Sequence, residues 1–137
     1  MEIVRMYGPL VGRVLLALIF IISGFGKLTG FAGTVGYIQS AGLPVPQLVA
    51  VIAIIVELGG GIMLVIGWKA RWAALALFIF SGLTIYYFHD FWTMDGADRL
   101  LNQTMALKHL SIMGGVLLVA AVGSGPVALE RPRLSQA

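Results

Sequence analysis

Residues 47–67 read QLVAVIAIIVELGGGIMLVIG, an apolar run broken by a single carboxylate, Glu57, about ten residues from either end. A hydrocarbon core about 30 Å thick takes about 20 apolar residues as a helix, and a backbone inside it must satisfy its own hydrogen bonds. The stretch therefore reads as a transmembrane helix. Working outward, three more apolar runs follow the same rule, at residues 9–28 (core VLLALIFII), 73–88 and 104–123. The whole chain is 59% hydrophobic and 11% charged, with a mean hydropathy of +0.96. Nine Lys and Arg with six Asp and Glu are too few to coat a water-soluble core. The fold class expected is all-α, an integral membrane four-helix bundle of residues 1–125.

The first run resembles a signal peptide, since Arg5 precedes it. Arg13 interrupts it, however, Lys27 sits where a cleavage site would fall, and no A-x-A follows, so a retained span is expected. The glycine-rich linker 29–46 has an amphipathic middle that suits the membrane surface or the mouth of the bundle. WKARW makes a tight basic connection between the second and third spans. HDFWTMDGADRLLNQ, residues 89–103, links the third to the fourth, and residues 126–137 read as a short, frayed cytoplasmic tail. Arg5, Arg13, Lys69, Arg71, Arg131 and Arg133 fall on one side of this topology. Lys27, Arg99 and Lys108 fall on the other with Asp90, Asp95 and Asp98, so the positive-inside rule places both termini in the cytoplasm. Trp68 and Trp72 suit the inner interface, and Tyr86, Tyr87, Phe88 and Trp92 an outer aromatic belt. Gly24, Gly26, Gly59–Gly61, Ser81, Gly82, Gly114 and Gly115 would let the helices approach closely.

Several chemistries are set aside. Without cysteine there are no disulfides, thiolate metal sites or iron–sulfur clusters. The cations are scattered singly, so no nucleic-acid face forms, and no phosphate-loop pattern accompanies the glycines. The only histidines, His89 and His109, are expected at depths about 9 Å apart, which disfavours a bis-histidine haem. His89, Asp90, Asp95 and Asp98 lack a recognised metal-ligand spacing, and no metal is expected.

The informative residues are the ionisable ones inside the spans: Arg13, Lys27, Glu57, Lys108 and His109. Each costs about 2.5–3.5 kcal/mol at a helix centre on insertion scales, so each should have a partner or a task. Arg13 and Lys27 share a face about 21 Å apart along the axis. Glu57, near mid-bilayer, must face the interior, and Arg13 is its expected partner. His109 lies on a stripe with Asn102 and Met113, and Lys108 on one with Thr104 and Gly115. Either stripe can face inward. Together the five suggest a polar ladder, serving either as helix-register pairs or as the lining of a pocket or proton path.

RVLLALIFIISGFGKLTGF, VELGGGIMLVIGWKARWAAL and LKHLSIMGGVLLVA, in this order and spacing, resemble the signature stretches of the DoxX family of small four-helix bacterial membrane proteins. Arg13, Lys27, Glu57 and Lys108 match the family's polar positions, while His109 stands where Asn is often found. The family takes its name from a membrane subunit linked to quinol oxidation and thiosulfate-to-quinone electron transfer. The resemblance therefore implies an inner-membrane protein with a quinone-linked role, as subunit or anchor of an oxidoreductase. Glu57 and His109 would transfer protons, and Arg13, Lys27, Glu57, Lys108 and His109 would line a pocket for a quinone or other lipid-soluble redox molecule. The bilayer, an oxidoreductase partner subunit and a second copy are the partners expected. The alternative is a non-catalytic scaffold recruiting a redox or stress-response enzyme. A small transporter is disfavoured by having only four spans.

Overall fold

The computed structural model describes residues 1–130, and every regular element among them is helical. Helix α1 (Glu2–Thr29) crosses the bundle in one piece, carrying Pro9 in its second turn. The linker folds into a short helix, α2 (Phe31–Ser40). The second span is α3 (Pro46–Ile54), a π-helical segment (Ile55–Gly59) and α4 (Gly60–Ile66) in continuous succession. Helix α5 (Ala70–Phe88) returns, a single 3-10 turn (Phe91–Thr93) follows, and α6 (Gly96–Val122) completes the bundle. Four of these stretches are long and apolar enough to cross a membrane. The fourth begins eight residues before the apolar run does, because DRLLNQT winds its polar turns outside the hydrocarbon.

Close helix contacts fall where glycine removes a side chain. A Cβ on Gly24 would stand 2.9 Å from Leu58 Cγ and 3.1 Å from both Glu57 Cβ and Leu58 N, so α1 lies directly on the π-helical segment. A Cβ on Gly61 would meet Ile21 at 2.7 Å, and one on Gly115 would meet Leu16 at 2.8 Å. Between these contacts sits a core of Ala17, Phe20, Leu64, Ala73, Ala74, Leu77 and Val116. Leu15, Ile22, Ile55, Ile79 and Leu118 point outward, as side chains facing lipid do.

At the end of the bundle bearing the chain termini, the segment after α6 is not frayed as far as Glu130. Arg13, 1% exposed, donates through its guanidinium to Ser124 O (2.6 Å) and Val127 O (2.7 Å). Leu129 N–H and Glu130 N–H donate to Ile66 O and Gly67 O, and the Glu130 carboxylate accepts from Lys69 N–H at 2.8 Å. A side chain on Gly67 (φ +69°) would collide with the Arg13 guanidinium and with Ala128. The rest of the expected tail, residues 131–137 with Arg131 and Arg133, lies outside the described residues.

Candidate functional site: a pocket around Glu57

The π-helical segment Ile55–Gly59 is centred on Glu57. One wider turn inside an α-helix changes which residues face inward and loosens the local backbone ladder, a feature that recurs at functional sites. Here it turns Glu57 into the bundle, 3% exposed, on a helix whose neighbours in sequence are all apolar. Gly24 brings α1 against this turn, and Lys27, one turn further along α1, reaches across. Its Nζ donates to Glu57 Oε1 at 3.0 Å and lies 2.8 Å from Oε2, while a second N–H goes to Ser23 Oγ at 2.6 Å. The approach to Oε2 is off the hydrogen-bond direction, so that buried oxygen still has lone pairs for another donor.

The carboxylate sits at the floor of a cavity of about 460 Å³ bounded by α1, α2, α3, α5 and the middle of α6. Its walls are Ile38, Val49, Ile52, Ala53, Phe80, Leu83 and Phe88. Its polar groups are Ser23, Lys27, Tyr37, Thr84, Tyr87, His89 and His109. Tyr37 of α2 stacks on Phe88 with ring centroids 5.1 Å apart, which lays α2 over the mouth as one of the two expectations for the linker had it. His89 Nδ1 lies 3.0 Å from Asn102 Oδ1, and its ring is 5.3 Å from that of His109. His109 Nδ1 is buried without a hydrogen-bond partner.

Three expectations need correction. Glu57 pairs with Lys27, not Arg13. The antiparallel register sets Gly24 beside Glu57, Ile21 beside Gly61 and Arg13 beside Gly67, which leaves Arg13 about 16 Å below the carboxylate along α1. Arg13 instead holds the segment after α6. Lys108 is exposed, its ammonium against Met105 Sδ at 3.1 Å, because the stripe of His109, Ala106 and Met113 is the one that faces inward. The polar ladder is therefore two separate sites, with Lys27, Glu57 and His109 in one and Arg13 in the other. Nor are the histidines held apart by depth. Side chains lean toward their own helix N-terminus, and because α5 and α6 run oppositely, His89 leans in and His109 leans out until they meet.

Ser23, Tyr37 and Thr84 are pocket residues that the sequence did not assign to a site, and His89 was weighed there only as a haem or metal ligand. For Ser23 a signal existed, its i, i+4 spacing from Lys27. His89 was legible as one of only two histidines, but its partner was not.

The family model for DoxX matches residues 8–90. Over 123 residues the chain is 42% identical to "Inner membrane protein YphA" of Escherichia coli (strain K12), covering 89% of this chain and 87% of that one. Over 124 residues it is 38% identical to "Inner membrane protein YqjF" of the same organism, covering 90% of each. No solved structure matches. With more than half of its residues matched by the family model, this identity to its relatives along nearly its full length and four apolar helices, the chain is a multi-pass inner-membrane protein and belongs to the DoxX family.

Proposed function

We propose that the pocket at Glu57 binds the head group of a quinone or a chemically similar lipid-soluble redox molecule, and that the protein serves as a membrane subunit or anchor of an oxidoreductase. The observation that carries this reading is one ion pair with spare capacity. Glu57 Oε2 lacks a directed donor, His109 Nδ1 lacks any partner, and both belong to a cavity whose remaining walls are mostly apolar. Buried polar groups left in this state suit a ligand that brings its own carbonyl or hydroxyl groups. A bound quinone would supply two-electron, two-proton chemistry, with the electrons coming from the partner subunit. The chain's own groups would hold and orient it. Lys27 donates to a carbonyl oxygen, Glu57 holds or accepts a proton at its carboxylate, and His109 offers a second hydrogen bond at the far side of the head. Arg5, Arg13, Lys69 and Arg71 gather at the end carrying the N-terminus, which by the positive-inside rule supports a cytoplasmic location for that end, and the pocket would then lie in the outer half of the membrane.

The test is purification from native membranes in mild detergent, with extracted small molecules identified by mass spectrometry and Glu57→Gln as the comparison. A quinone retained at near one per chain and lost from a folded Glu57→Gln is the expected result. No ligand in either folded preparation would overturn the reading in favour of a scaffold whose charges serve assembly.

A further inference from the structure

The cavity is buried at its floor and open at its side. Glu57 is 3% exposed, yet three residues of the wall, Ile52, Leu83 and Tyr87, are 51%, 52% and 40% exposed. They flank a gap between α3 and α5. Helix α5 packs closely on α4 and on the π-helical segment but has little or no contact with α3, so the two helices part just above Glu57. Ile52 and Leu83 lie about 8–9 Å inside the ends of their helices, within the depth of hydrocarbon. Parts of the remaining boundary are closed. Gly24 seals α1 to the π-helical segment, Tyr37 stacked on Phe88 covers the mouth, and Leu64 and Leu77 fill the space beneath.

Building on the reading of the pocket given above, we infer that its ligand enters and leaves sideways from the lipid, through the gap between α3 and α5. The ligand is then a molecule with a compact polar head and a flexible hydrocarbon tail. The head meets Lys27, Glu57 and His109, and the tail runs out between Ile52 and Leu83 into the bilayer.

Because the chain has no cysteine, one reporter thiol can be read without background. Ala53→Cys lies in the cavity wall, and Ile55→Cys, on the lipid face, serves as the control. In proteoliposomes, a long-chain N-alkyl maleimide should label Ala53→Cys at least tenfold faster than a membrane-impermeant charged thiosulfonate. Adding Ile52→Trp and Leu83→Trp should slow that labelling at least fivefold while leaving Ile55→Cys unchanged, which also reports that the variant is folded. In the background without the tryptophans, a decyl-benzoquinone whose other ring positions are all blocked by methyl or methoxy groups, so that it cannot add to the thiol, should protect Ala53→Cys at concentrations at least tenfold below those needed with the equally blocked quinone that lacks the tail. Equal labelling by the charged reagent, no labelling by either reagent, or no effect of the tryptophans in folded protein overturns the lateral path. If the labelling pattern holds but neither quinone protects, the path stands and the quinone reading fails. If a quinone protects but the tryptophans change nothing, the reverse is true.

Discussion

Replacing Lys27 with Met removes an ammonium but keeps much of the side chain's length, leaving Glu57 at the cavity floor with no cation. In a protein interior, deleting one member of a buried ion pair costs about 3–5 kcal/mol, because the survivor is left charged and unpaired. The Glu57 side chain is 4% exposed and that of Lys27 29%, so the carboxylate bears most of that penalty and the lower end, about 3 kcal/mol, applies to Lys27→Met. Glu57→Met should cost less, about 1–2 kcal/mol, because Lys27 keeps Ser23 Oγ and is partly solvated. The double variant Lys27→Met with Glu57→Met leaves no charge and should fall within about 1 kcal/mol of the parent. The cycle then closes with a coupling of about 3–5 kcal/mol, which two residues without contact would not show. Reversible unfolding in mixed micelles, followed by the fluorescence of Trp68, Trp72 and Trp92, measures all four species. A Lys27→Met penalty below about 0.5 kcal/mol, or single-variant penalties that simply add in the double, would refute the pairing and the burial argument together.

Other expectations follow from the same geometry. Gly24→Ala places a methyl against the Leu58 backbone and should cost about 1–3 kcal/mol in the same unfolding assay, with loss of any bound quinone. Gly114→Ala meets nothing within 4 Å and should be neutral or stabilising by up to about 1 kcal/mol. Arg13→Met removes two charge-assisted hydrogen bonds worth about 1.5–3 kcal/mol each, and amide exchange at Leu129 and Glu130 should accelerate at least tenfold by mass spectrometry. Asn102→Leu frees the His89 ring and should weaken decyl-benzoquinone binding severalfold, as read by protection of Ala53→Cys.

The spans were legible because lipid exposure demands uninterrupted apolar length, and Glu57 was legible because a mid-span carboxylate has nowhere to go but inward. Its partner was not, since partner choice depends on register between α1 and the second span, which Gly24 and Gly61 set through contacts that no single-helix pattern encodes. The choice between the His109 and Lys108 stripes was likewise open in the sequence, because a 100° step separates them and only packing against α5 selects one. The π-helical turn has no compositional signature apart from the glycines that follow it, so the cause of Glu57's orientation was hidden even where its direction was clear. Linker 29–46 gave its amphipathic pattern correctly but could not say whether lipid or pocket lay beneath.

Arg13 also has a bearing on how the protein is made. It emerges early in synthesis, while the carbonyls that satisfy it belong to Ser124 and Val127, 111 and 114 residues later. Until that last segment arrives, the nascent bundle carries a cation with no settled partner, and the first span can only be provisionally seated. Completion of the C-terminal segment is thus the event that locks the first helix. A product that stops short of Ser124 would keep all four spans and the whole pocket, yet expose an unmet charge that membrane quality control can recognise.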